Sequence, residues 1–228
     1  MKTSDSLSMT KQKKLILFDI DHTLFDTKHY LTTCFETIGA SLHVQDKSAF
    51  IAQAFKLYRE KRKLNYFQPE QFLEDLLKMT GSEGPSESLQ FIFTDETIIN
   101  NALYPDVENT LKTLSTQGIL LGVFSAGHDS LQRLKIKSIS HLLEEEHIHI
   151  LEVKNKQETP LFVEKYATDV VCLVDDLPEV LKAMKKKSPA VTTILIDRDG
   201  KYRDEETTEI EQIDFTLANL GEILTIIQ

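Results

Sequence analysis

The chain has 228 residues, 41% of them hydrophobic and 27% charged, and a net charge of −10. That length buries a sizeable core and suits one large domain or a core with a smaller insert. The acidic balance excludes a broad basic footprint for nucleic acid, two distant cysteines exclude a disulfide framework, and no apolar run approaches the ~20 residues of a membrane span.

Met1–Lys14 is polar and has no signal-like apolar segment, so residues 1–13 read as a loose tail on a cytoplasmic protein. Leu15–Phe18 is a short apolar run, read as a buried strand, and it ends in Asp19-Ile20-Asp21-His22-Thr23. Two carboxylates spaced i, i+2 at the carboxyl end of a strand sit where open α/β sheets bind ligands. Like charges that close cost energy unless a cation or a reaction uses them.

From Asp26 to Tyr104 the strand pattern lapses. Periodic apolar residues predict helices near Tyr30–Ile38, Lys47–Lys61, Pro69–Met79, Ser88–Phe93 and Asp95–Ala102, with Asp26 as a cap and Gly81–Pro85 as a breaker. Lys56, Arg59, Lys61, Arg62 and Lys63 form a basic cluster, read first as a solvated helix face and second as a patch for an anionic group. Phe67, Phe72, Phe91 and Phe93 read as the core of this segment rather than a stacking platform.

Apolar runs then alternate with helical patterns. Strands are expected at Ile119–Phe124, Ile148–Val153, Val170–Val174 and Thr192–Ile196, with a weaker one at Ile213–Leu217. Helices are expected at Val107–Gln117, Ser130–Ile136, Pro160–Lys165, Pro178–Lys187 and Leu220–Ile227. The alternation implies a Rossmann-like parallel sheet with helices on both faces, formed by residues 14–26 and 104–228, and an all-helical cap inserted at 27–103. Cys172 falls in a strand and reads as a buried thiol. His147 and His149 alternate along another and read as an edge pair without a third metal ligand.

Polar signals follow the strand-like runs. Ser125-Ala126-Gly127 is read as a turn carrying a hydroxyl and free N–H groups, Lys154-Asn155-Lys156 follows the third strand, and Asp175-Asp176 ends the fourth. Hard oxygen ligands suit Mg²⁺, and a lysine with a hydroxyl suits a phosphoryl group.

In this order, Asp19-Ile20-Asp21-His22-Thr23, Ser125, Lys156 and Asp175-Asp176 resemble the four motifs of the haloacid dehalogenase (HAD) superfamily, and the helical insert resembles its C1-type cap. The resemblance spans nearly the whole chain from Lys14. It implies that Asp19 attacks phosphorus to form an aspartyl-phosphate, and that Asp21 protonates the leaving oxygen and then activates water. It assigns the phosphoryl group to Ser125, the Ala126 N–H and Lys156, the last preferred to Lys154 for its spacing to Phe162. Mg²⁺ goes to Asp19, the Asp21 carbonyl and Asp176, with Asp175 as an alternative or supporting ligand. Members that cleave carbon–halogen bonds lack an acid at the Asp21 position. The implied activity is a Mg²⁺-dependent phosphatase acting on a small phosphorylated metabolite, a nucleoside monophosphate or a sugar phosphate. A phosphomutase, a non-catalytic binding protein and a phospho-switch stand as alternatives. Neither nucleic acid nor a membrane is expected as a partner, and the sequence leaves the oligomeric state open.

Overall fold

The computed structural model describes residues 14–64, 67–81, 89–152, 170–202 and 212–227. Its centre is a six-stranded, wholly parallel sheet of β1 (Leu15–Phe18), β2 (Leu120–Ala126), β3 (Ile148–Leu151), β4 (Val170–Asp175), β5 (Thr192–Ile196) and β6 (Phe215–Leu217), in the order β3-β2-β1-β4-β5-β6. The order reverses between β1 and β4, which is the crevice where such sheets receive ligands.

The period-two alternation of the strands sorts their side chains onto two faces. Ile16, Phe18, Cys172, Val174, Ile194 and Ile196 join one apolar cluster, whereas Leu15, Leu17, Leu173 and Leu195 join another. The first face is covered by Leu111 and Leu114 of α5 (Val107–Thr116) and by Leu220 and Ile223. The second is covered by Val180, Leu181 and Met184 of the helix Pro178–Lys187. Gly122 in mid-β2 is required by close approach: a Cβ there would meet the His147 carbonyl oxygen at 2.5 Å and Leu17 Cδ2 at 2.8 Å.

Between β1 and β2 the described residues form no strand. They build α1 (Thr27–Ser41), α2 (Lys47–Leu64), α3 (Pro69–Thr80), a 3₁₀ turn (Phe91–Thr94) and α4 (Glu96–Asn100). Asp26 caps α1 by accepting from the His29 N–H at 2.8 Å. α3 starts with Pro69 and stops at Gly81, which is left-handed at φ 62°. Phe35, Phe72 and Phe93 are fully buried and Phe67 nearly so, and the rings pack with centroids 5.2 to 6.0 Å apart. Phe91 departs from the expected core set: it is 68% exposed. Lys61 pairs with Asp75 of α3, so this member of the basic cluster braces two helices. The chain leaves and re-enters the sheet side by side, with Asp26 N–H on the Ala102 carbonyl at 2.7 Å and Tyr104 N–H on the Leu24 carbonyl at 3.1 Å.

Several expectations need correction. Ser125 and Ala126 are not in a turn; they are the last residues of β2, paired with Ile150 and Leu151 of β3. The parallel partner strand carries the ladder further than the apolar run does. Leu220–Ile227 is not α-helical but a 3₁₀ helix over Leu220–Thr225, a form suited to so short a piece. Phe91–Thr94 likewise replaces the end of the helix expected at Ser88–Phe93. His147 precedes β3 rather than lying on it, while His149 is within this edge strand. Lys154, Lys156 and the helix expected at Pro160–Lys165 lie outside the described residues. Cys34 and Cys172 are buried free thiols, and burial pushes the Cys34 thiol up to about 12. Among the described residues no helix is long and apolar enough to cross a membrane.

Candidate active site

The site begins at the carboxyl end of β1. Phe18 pairs with Val174, and the Asp19 N–H donates to the Val174 carbonyl at 2.8 Å, so Asp19 lies level with Asp175 on the neighbouring strand. Asp19 is 5% exposed, Asp175 is fully buried and Asp176 is half-buried. One carboxylate oxygen from each falls within 4.8 Å of the others. Three like charges this close repel by about 4 kcal/mol per pair at an effective dielectric of 20, and an oxygen-only carboxylate set is the donor chemistry of Mg²⁺ and similar hard cations. The residues therefore fit a divalent metal. Asp175 Oδ1 also accepts from the Leu177 N–H at 2.9 Å, just ahead of Pro178 in the first turn of its helix.

After Asp19 the chain makes a tight turn. The Ile20 carbonyl accepts from the Leu24 and Phe25 N–H groups, each at 2.9 Å, and the His22 N–H donates to the Phe25 carbonyl at 2.8 Å. His22 closes it in the left-handed region at φ 62°, which His tolerates better than most residues. The turn sends the Asp21 side chain away from β4 and towards α6 (Asp129–Lys135), the helix after β2.

What Asp21 meets there is not legible along the chain. Asp21 Oδ1 accepts from the Thr27 hydroxyl and from Lys135 Nζ, the latter at 2.7 Å. Asp21 Oδ2 accepts from Gln132 Nε2 at 2.9 Å. The same amide nitrogen lies 3.0 Å from Ser125 Oγ and 2.9 Å from the Ala126 carbonyl. Gln132 is 2% exposed and Lys135 is 6% exposed, with Lys135 Nζ 5.3 Å from the Phe25 ring centroid. A signal for both was present: two polar residues at i, i+3 interleaved with Leu131 and Leu134 on a short helix. On its own that pattern reads as an exposed face beside an apolar one.

The structure thus groups the sequence-predicted residues in two places. Asp19, Asp175 and Asp176 share the carboxylate cluster, while Asp21, Ser125 and Ala126 share Gln132. A cavity of about 670 Å³ lies beside α6, between it and the start of α3, lined by Gln68, Gln71, Gln90, Phe91, His128 and Ser130 among others.

A family model of haloacid dehalogenase-like hydrolases matches residues 13–153, more than half of the chain. The chain belongs to the haloacid dehalogenase-like hydrolases. The match contains Asp19, Asp21, Ser125, Gln132 and Lys135 and ends before Asp175 and Asp176. No curated protein matches the chain in sequence. Solved structures share the fold. A haloacid dehalogenase-like hydrolase from Burkholderia xenovorans LB400 is 21% identical with a TM-score of 0.70, over 95% of this chain and 97% of that one. The magnesium-bound HAD-hydrolase YfnB from Bacillus subtilis is 15% identical with a TM-score of 0.69, over 96% and 100%. The L-2-haloacid dehalogenase of Xanthobacter autotrophicus, with chloropropionic acid covalently bound, is 14% identical with a TM-score of 0.60, over 94% and 98%. At these identities the likeness speaks for the shared HAD fold, not for a shared substrate.

Proposed function

We propose that this HAD-like hydrolase is a Mg²⁺-dependent phosphatase that cleaves small phosphate monoesters through an aspartyl-phosphate. The observation that carries the reading is Asp21: a second ionisable carboxyl two residues past Asp19, joined through Gln132 to the Ser125 hydroxyl. Cleavage of a carbon–halogen bond expels a halide, which leaves without a proton. Cleavage of a phosphate monoester expels an alkoxide, which needs one.

In this reading an Asp19 oxygen attacks phosphorus, the bond from phosphorus to the ester oxygen breaks, and that oxygen takes the Asp21 proton. Water then attacks the phosphorus of the aspartyl-phosphate and gives its proton to Asp21, which frees Asp19 and inorganic phosphate. Ser125, the Ala126 N–H and Lys156 would hold the phosphoryl oxygens. Asp19, Asp176 and the Asp21 carbonyl would hold Mg²⁺, supported by Asp175, and the cation when bound offsets charge on the phosphoryl group. The leaving group remains a nucleoside or a sugar; transfer back to substrate, as in a mutase, is separated from hydrolysis by isotope-labelled water, whose label enters free phosphate only on hydrolysis.

The test is phosphate release from para-nitrophenyl phosphate with Mg²⁺. Release should stop with EDTA and in Asp19→Asn; turnover that survives in Asp19→Asn overturns the aspartyl-phosphate. The structural likeness to haloacid dehalogenases sustains a second reading, dehalogenation of a short 2-haloacid. Chloride release from 2-chloropropionate, with no phosphate release from the aryl ester, would select it.

A further inference from the structure

We propose that Lys135 and Gln132 are positioning residues that set where the Asp21 carboxyl stands; this rests on the phosphatase reading of Asp21 as acid and base. Both Asp21 oxygens are engaged by α6, Oδ1 by Lys135 and Oδ2 by Gln132. Burying a lysine to 6% exposure costs several kcal/mol before its partner repays it, and an apolar residue of similar length would pack against Phe25 without that cost. The ion pair is therefore poorly explained by stability alone.

Gln132 shows the same feature. Its Nε2 faces a carboxylate, a carbonyl and a hydroxyl, and the first two only accept, which fixes the amide's orientation. Its Oε1 is buried and has no hydrogen-bond partner among the described residues. A buried orphan acceptor costs about 1–3 kcal/mol, so the amide is kept for what its nitrogen holds. The backbone also makes room for it. Gly127 sits at φ 147°, and a Cβ there would lie 3.1 Å from Gln132 Cγ and 3.3 Å from Nε2. The glycine that follows Ser125-Ala126 thus lets one amide span Ser125 and Asp21. Lys135 and Gln132 touch no reacting atom in this account; Lys135 acts through Asp21, and Gln132 through Asp21 and Ser125.

Leaving-group dependence separates such a role from a structural one. The measured quantity is kcat/KM, which covers only steps up to departure of the alcohol. The esters are one of a strongly acidic phenol (2,4-dinitrophenyl phosphate) and one of a simple alkyl alcohol. Lys135→Met should lose about 100-fold on the alkyl ester and at least tenfold less on the phenyl ester. Lys135→Arg should recover part of the alkyl activity, and Lys135→Met should be silent in an Asp21→Asn background. Equal losses on both esters, or a full further loss in Asp21→Asn, overturn the proposal. If Lys135→Met does not fold, Lys135→Gln, which removes the charge and leaves Gln132 and Ser125 in place, is read in the same way. A wild-type enzyme that hydrolyses neither ester refutes the phosphatase reading instead. Positioning is then decided by crystal structures of the wild type and Lys135→Met: a displaced Asp21 carboxylate supports it, and an unmoved one overturns it.

Discussion

Arg198 lies over Tyr104, its guanidinium carbon 3.9 Å from the ring centroid. From there Nη1 donates to Asp106 at 2.8 Å and Nη2 donates to the Thr23 carbonyl at 2.8 Å. Asp106 in turn accepts from the Leu220 N–H at 2.5 Å. One side chain from the loop after β5 therefore ties together the turn that carries Asp21, the chain between α4 and β2, and, through Asp106, the C-terminal 3₁₀ helix.

Removing Arg198 leaves Asp106 and the Thr23 carbonyl short of a donor. Arg198→Met should lose about 2–3 kcal/mol in urea unfolding. Arg198→Lys should recover less than half, because an ammonium lacks the planar fork and stacks poorly on Tyr104. Full recovery with Lys would show that charge alone matters there.

The carboxylate cluster predicts a metal-linked stability. Mg²⁺ at a hundredfold excess over its dissociation constant should add about 2.7 kcal/mol, which is a rise of roughly 6–10 °C in Tm for a chain of this size. Asp176→Asn should abolish most of that rise. A wild-type Tm unmoved by Mg²⁺, Mn²⁺ or Ca²⁺ would refute a divalent site at Asp19, Asp175 and Asp176.

Asp214 predicts a pH dependence. Burial alone would raise its carboxyl, but Lys185 Nζ at 2.8 Å and the Thr193 N–H and hydroxyl at 2.8 and 2.9 Å outweigh burial, and the net shift is downward. A carboxyl lowered in the folded state contributes stability that is full above its unfolded pKa of about 3.9 and is lost as pH falls through the folded value. Asp214→Asn should therefore destabilise by about 1–2 kcal/mol at pH 7. The gap to wild type should narrow once pH drops below about 4. A gap that is constant from pH 7 to pH 3 would place the effect in packing rather than in charge.

Much of the core was readable because its signals are local. Leu15–Phe18 and Thr192–Ile196 are strands at their expected bounds, and Pro178–Lys187 is a helix at its expected bounds, with proline at the start and lysines at the end. Asp26 caps α1 as expected. Other expectations slipped. β2 extends over Ser125 and Ala126 because β3 is there to bond them, and Leu220–Thr225 winds as a 3₁₀ helix where an α-helix was expected. Phe91 was indistinguishable in sequence from Phe93, yet one is exposed beside the α6 cavity and the other is buried against Phe67 and Phe72, its carbonyl accepting from the Tyr30 hydroxyl at 2.6 Å.

The sequence by itself determined the alternation of strands and helices, the helical stretch between the first two strands, and the placing of Asp19 and Asp175 at strand ends. Each of these follows from apolar periodicity and from what interrupts it. Only the tertiary structure decided what surrounds Asp21. Gln132 and Lys135 stand 111 and 114 residues away from it along the chain. They reach it because β2 lies parallel beside β1, which sets the helix after β2 against the turn after β1. A local pattern records which residues are polar; the crossover between parallel strands decides whether that polarity meets water or a buried carboxylate.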